Sequence, residues 1–358
     1  MHTVFLAHTP LHLLFTLSLV RDVDFQPAHV ILVEDWPGVS AIASRLPDLL
    51  PPDSRVSVLP GAATPRPRWL RRYPVSRLAN HLPLVQAVRR ARQLLAGQDV
   101  RRVCLFIDHR PDVQQIAGAV KAANPGCRIA YVEDGASAYV NELPPQHRLA
   151  KRFPLAFRLV YGRYFEQVCG QGQFSLLDEA YLLYPSLASR ALSRLPVHRI
   201  PPLSLTSQEV DQLLRLFGSD TPRLPPDQPV VFVALPLSLV VTPALEARLG
   251  EVLAGYAAAG STLLFKPHPR ETRPWAAQPR LAGSSIWLNP AVPGEVVLAW
   301  LGGRLQAVVS GLSSMLYTAR WFNPAASAVL VDVPDVMIPP EVARVFQAAG
   351  VQRAEGTG

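Results

Sequence analysis

Arg128-Ile129-Ala130-Tyr131-Val132-Glu133-Asp134-Gly135 is an apolar run that stops in two carboxylates and a glycine. The run predicts a buried strand, and the polar tail marks its carboxyl end. Two later stretches repeat the arrangement. Ser261-Thr262-Leu263-Leu264-Phe265 leads into Lys266-Pro267-His268-Pro269, and Gln306-Ala307-Val308-Val309 leads into Ser310-Gly311-Leu312-Ser313-Ser314. Ligands of open α/β sheets bind beyond the carboxyl ends of the strands, so these three tails are the candidate site.

Working outward, further strand-like runs alternate with helical stretches. Strands are expected at Thr3–Ala7, His29–Val33, Val56–Leu59, Val103–Ile107 and Arg128–Val132, with helices from Pro10, at Arg77–Leu95 and at Val113–Ala123. A second set follows a Pro- and Arg-rich connector, Leu192–Leu205. Its first helix opens on the capping box Thr206-Ser207-Gln208-Glu209. Strands at Val230–Ala234, Thr262–Phe265, Ile286–Leu288, Ala307–Val309 and Ala328–Val331 complete it, with a helix from Thr242-Pro243 to Gly260. Alternating strand and helix predicts right-handed crossovers and parallel sheets. The expected fold is α/β: two Rossmann-like parallel-sheet domains, 1–195 and 196–358, facing each other across a cleft. The last helix, Pro340–Ala349, is expected to pack back on the first domain.

The chain has 358 residues, of which 49% are hydrophobic and 17% charged, which allows two large cores and excludes wholesale disorder. Net charge is +8, carried almost wholly by arginine, since Lys121, Lys151 and Lys266 are the only lysines. That balance suits an anionic partner. The cluster Arg66, Arg68, Arg71, Arg72 and Arg77 around Trp69 and Tyr73 reads as a solvated basic face or a contact for membrane headgroups. Cys104, Cys127 and Cys169 show neither a disulfide framework nor zinc spacing. The apolar run Leu11–Val20 has no basic segment before it and no cleavage site after it, so a cytoplasmic location is expected, with peripheral membrane contact.

In Glu133-Asp134-Gly135 one carboxylate can accept a proton while its neighbour raises its basicity by like-charge repulsion; the same pair would equally cap a helix. His268, held between Pro267 and Pro269, can protonate a departing group, with Lys266, Arg270 and Arg273 adding charge. Ser313 and Ser314 precede a helical stretch and suit either an anion or ordinary capping. Glu295 sits in the first turn of a helix, to bind the hydroxyls of a ribose or to complement the helix dipole. Asp22-Val23-Asp24 follows a helix rather than a strand, so it is discounted as a metal motif. His8 and His12 are discounted as a metal pair, because Thr9 and Pro10 interrupt the helical face between them.

Taken together, Glu133-Asp134-Gly135, His268-Pro269 and Ser313-Ser314, with the opening Ala7-His8-Thr9-Pro10-Leu11-His12-Leu13-Leu14, resemble the bacterial sialyltransferases of the lipooligosaccharide and polysialic-acid types. The resemblance implies the glycosyltransferase-B plan and an inverting, metal-independent transferase without a cofactor. Its co-substrate would be a CMP-activated sugar donor, and its acceptor a glycan or glycolipid, possibly anionic, with no role for nucleic acid. By motif position Glu133 would be the general base, with Asp134 as its neighbour, and His268 the acid. Ser313 and Ser314, with Gly311 and Pro269 in their motifs, would hold the CMP phosphate; Lys266 would contact the cytosine and Glu295 the ribose. Residues 1–195 would serve the acceptor and 196–358 the donor. Other readings are a CDP-glycerol glycerophosphotransferase, a CMP-Kdo transferase and a non-catalytic two-domain binding protein.

Overall fold

Strands covered on both faces have no polar face to show, which is why parallel sheets read as unbroken apolar runs. The computed structural model describes residues 1–36, 38–61, 82–141, 158, 161–218, 223–235, 242–268, 285–290, 292–333 and 337–354. The chain divides into two units, Met1–Pro201 and Pro202–Gly358, each built on one parallel sheet.

The first sheet holds β1 (His2–Ala7), β2 (Ala28–Val33), β3 (Arg55–Leu59), β4 (Val100–Leu105), β5 (Arg128–Val132), β6 (Glu179–Leu182) and β7 (Val197–Arg199). Their order is β3-β2-β1-β4-β5-β6-β7, every neighbouring pair parallel. All of β2 and all of β1 beyond His2 are buried. The helices are α1 (Pro10–Leu19), α2 (Val39–Arg45), α3 (Leu82–Leu95) and α4 (Pro111–Ala123). Thr9 caps α1, its hydroxyl accepting from the His12 amide, and Pro10 fills the first turn, where no N–H is missed. Arg77 and the rest of the basic cluster lie outside the described residues. Asp22, in the discounted Asp-x-Asp, caps a single 3-10 turn through its own side chain.

In the first sheet two strands escape the sequence reading, and in the second the short final strand Gln352–Arg353 does. β7 lies inside the stretch read as a connector, so the first unit runs past residue 195. β6 opens on Glu179, a charge no hydropathy pattern admits. It is paired: Arg102 on β4 donates to it at 2.7 Å, with both side chains almost fully buried, and Arg128 reaches its other oxygen at 3.1 Å.

The second sheet holds β8 (Val230–Ala234), β9 (Thr262–Lys266), β10 (Ser285–Trp287), β11 (Leu305–Ser310), β12 (Ser327–Leu330) and β13 (Gln352–Arg353), in the order β10-β9-β8-β11-β12-β13. Its helices are α5 (Ser207–Leu216), α6 (Pro243–Ala258), α7 (Gly294–Leu301), α8 (Met315–Phe322) and α9 (Pro340–Ala348). Both halves of the Thr206–Glu209 capping box form. Val231, Val233, Leu263 and Phe265 pack with Leu249 and Leu253 of α6 in one core, each such side chain contributing roughly 1.5–3 kcal/mol. The final helix packs on α8, with Phe346 and Tyr317 ring centroids 6.4 Å apart. No helix among the described residues is long and apolar enough to cross a membrane.

Each sheet winds outward from a central first strand, and its order reverses beside that strand, between β1 and β4 and between β8 and β11. Such a switch point leaves a crevice at the carboxyl edge.

Gly118 in the middle of α4 tests the packing. Alanine there gains roughly 1 kcal/mol of helix propensity, but its Cβ would collide with the Tyr164 ring. Overpacking costs roughly 1–3 kcal/mol, so Gly118→Ala should lower the melting temperature. Adding Tyr164→Ala should restore the helix gain, and a stabilised single variant would contradict the contact.

Candidate active site

At the carboxyl edge of the first sheet, the Glu-Asp-Gly tail splits by direction. Glu133 is fully buried. Its Oε2 accepts from the Tyr139 hydroxyl and, at 2.7 Å, from the Leu183 amide beyond β6. It fastens the 3-10 turn Gly135–Tyr139 to the end of β6. Gly135 makes the reversal at φ +71°, a region that disfavours side chains. Asp134 faces the other way, and its side chain keeps 28% of its exposure. Glu133, the expected base, thus faces into the fold, and Asp134 is the carboxylate in reach of solvent.

Asp134 is not a solitary acid. His12, on the first turn of α1 and wholly buried, places Nε2 2.7 Å from Asp134 Oδ1. The His12 ring stacks on Phe106, centroids 4.3 Å apart and planes within 7°. Its Nδ1 accepts the His8 amide at 3.1 Å. His8 Nδ1 lies 2.7 Å from Asp35 Oδ2. Arg110 pairs with that same oxygen and, at 2.6 Å, with Asp112. The ends of β1, β2, β4 and β5 are thereby laced by one polar chain.

Burial alone would raise the Asp134 carboxyl, but its interaction with His12, with His8 and His109 behind it, holds it below the usual carboxylate range. Burial lowers His8 and His109. Asp108, just beyond β4, is pushed up to about 6 by burial, although its Oδ2 accepts amides of Gly172, Gln173 and Phe174.

In the second unit the candidate residues collect at the corresponding edge. Lys266 ends β9 almost fully buried, its Nζ donating to the Pro267 carbonyl at 2.7 Å and the Pro290 carbonyl at 2.9 Å. Burial pushes the Lys266 ammonium down to about 8, a shift that nearby Glu295 opposes. Burial raises Glu295, which sits half-buried in the first turn of α7. The starts of α7 and α8 meet, since a Cβ on Gly294 would lie 2.7 Å from Met315 Cε. Ser313 Oγ accepts the Met315 amide at 3.2 Å, an ordinary capping bond, whereas Ser314, at the N-cap of α8, makes no side-chain cap. Gly311 is buried just after β11, whose Ser310 ties the switch point by donating to the Ala234 carbonyl at 2.6 Å. His268 is half-buried two residues past β9; Pro269, Arg270 and Arg273 lie outside the described residues.

Sequence reasoning missed His12. The motif Thr9-Pro10 was legible as a helix start, and a histidine in the following turn of a helix after the first strand was the available signal.

No family model matches the chain, and the search of curated proteins finds no match. Solved structures do share its fold. The α/β-galactoside α-2,3-sialyltransferase of Photobacterium phosphoreum superposes with a TM-score of 0.56 over 98% of this chain and 97% of its own, at 13% identity. A sialyltransferase of Photobacterium damsela gives 0.55 over 99% and 81%, at 14% identity. The UDP-GlcNAc 2-epimerase of Neisseria meningitidis gives 0.50 over 98% and 87%, at 8% identity. The chain has the glycosyltransferase-B fold, with one seven-stranded and one six-stranded parallel sheet.

Proposed function

We propose that the protein is an inverting glycosyltransferase that moves a sialic acid or related nonulosonic acid from a CMP-activated donor to a terminal sugar of a glycan. The observation that carries this reading is the part-exposed, histidine-held carboxylate Asp134 at the switch point of the first sheet. The sialyltransferases among the structures that share the fold support it.

In this mechanism Asp134 takes the proton of the acceptor hydroxyl as its oxygen attacks the anomeric carbon of the donor sugar. The bond from that carbon to the CMP phosphate oxygen breaks. CMP leaves with its charge stabilised by His268, which donates a proton or hydrogen bond, and by the start of α8 with Ser313 and Ser314. Lys266 and Glu295 hold the nucleoside. A monophosphate leaving group handled this way needs no metal, and the base and acid are ordinary side chains tuned by surroundings. The acceptor is a surface glycan or glycolipid; the +8 net charge favours an anionic one.

CMP release from CMP-N-acetylneuraminic acid with EDTA present, over galactose-terminated acceptors, is the direct test. Acceptor-stimulated release is expected from the wild type. Asp134→Asn should lower kcat on the order of 10²–10⁴-fold without changing the melting temperature, and His268→Ala should do likewise. Glu133→Gln should instead lower the melting temperature. Release only from CMP-Kdo or CDP-glycerol would move the donor assignment, and full turnover in Asp134→Asn would remove the base.

Lys266 gives the site a pH signature. Its ammonium is fully present below about 8 in the folded protein and lost above it. Calorimetric affinity for CMP should therefore hold from neutral pH and fall through that value. Lys266→Met should bind more weakly and show no such fall; an unchanged slope in the variant would exclude Lys266 from the donor site.

A further inference from the structure

Both ring nitrogens of His12 are engaged, and by partners of opposite kind. A backbone amide can only donate, so the bond from His8 N–H makes Nδ1 the acceptor. The ring proton then sits on Nε2, directed at Asp134 Oδ1. The ring cannot easily turn away, being buried and stacked on Phe106. Its backbone is held as well: Thr9 Oγ1 accepts its amide at 3.3 Å, and Thr16 Oγ1 donates to its carbonyl at 2.8 Å.

We propose that His12 is a positioning residue for Asp134, an imidazole locked in the Nε2–H tautomer that fixes one carboxylate oxygen and leaves the exposed part of the carboxylate to take the acceptor proton. This rests on the reading of Asp134 as the base. The order of roles is the reverse of a serine hydrolase, where a carboxylate orients the histidine that accepts the proton. Here the histidine orients and the carboxylate accepts. Because Nδ1 is filled by an amide, His12 offers no route by which the proton can travel on; it leaves Asp134 by the exposed side.

Among the described residues, the other titratable groups that act on Asp134 include His8 from the end of β1 and His109 from beyond β4, and Asp134 shares the buried Tyr131 with Asp108 and with Glu133 on the same turn. Behind His8 stands the chain Asp35–Arg110–Asp112. All are retained when His12 alone is changed. His12→Phe keeps the stack on Phe106 and removes the donor, while His12→Gln can present an amide N–H near the Nε2 position. Should His12→Phe fail to fold, His12→Asn serves in its place, since its shorter amide reaches only the Nδ1 position.

The experiment has two arms. The first follows the Asp134 carboxyl by carbon-detected NMR titration in the ligand-free protein, where turnover plays no part. His12→Phe or His12→Asn should move that titration upward by about one pH unit or more, since one lost charge-assisted bond is worth roughly that much, and His12→Gln should recover most of the shift. The second arm measures kcat and KM against pH. The acid limb should move upward with the carboxyl and kcat should fall about 10²-fold, at the lower bound for a positioned base, with donor KM nearly unchanged. An unmoved Asp134 titration overturns the proposal. A moved titration in a protein with no transfer from any donor upholds the His12–Asp134 coupling and overturns the transferase reading. A moved titration with unchanged kcat and pH profile overturns the role of His12 in the reaction.

Discussion

A parallel strand cannot be joined to its neighbour by a tight turn; it must hand the chain to a crossover that returns along the outside of the sheet. The candidate site of this protein follows from that constraint. Each crossover begins at the carboxyl edge, so the residues just after the strands are the ones left uncovered. Where the winding direction reverses, two crossovers part and the edge opens. The Glu-Asp-Gly turn, the Lys-Pro-His segment and the Gly-Leu-Ser-Ser segment all belong to such edges, as does the first turn of α1.

The architecture was legible because burial on both faces suppresses polar residues. Arg128–Val132 and Val230–Ala234 are strands over the same residues that hydropathy marks. Elements failed to show where a polar residue is buried with a partner. β6 carries Glu179, and its partner Arg102 is remote in sequence, so no window contains both halves of the pair. Pattern also fails in short edge strands: β7 is an exposed edge of three residues among prolines and arginines.

At the candidate site, identity was legible and assignment was not. Sequence places Glu133 and Asp134 side by side with the same chemistry. Direction separates them, because successive side chains leave an extended chain on opposite sides. Which side is inward depends on Tyr139 and Leu183 on one face and His12 on the other, the last more than a hundred residues away. The same limit applies to Ser313 and Ser314, equal as hydroxyls yet differing in whether the helix uses them. Lys266 was conspicuous for rarity, but its two carbonyl partners, which set its orientation, required the fold.

The amide of His8 is spent on a side chain rather than on the sheet. A half-turn of the His12 ring about its Cβ–Cγ bond would set carbon atoms against both that amide and the Asp134 carboxylate. The buried amide and the part-exposed carboxylate would each lose a partner, a combined cost of about 2 kcal/mol or more, which confines the flipped ring to a few per cent of molecules or fewer. Conformational heterogeneity is thus removed before any substrate arrives. The His8 amide hydrogen, although it sits at the rim of the sheet, can exchange with solvent only in the rare molecules where the ring has left it, so its exchange rate counts them.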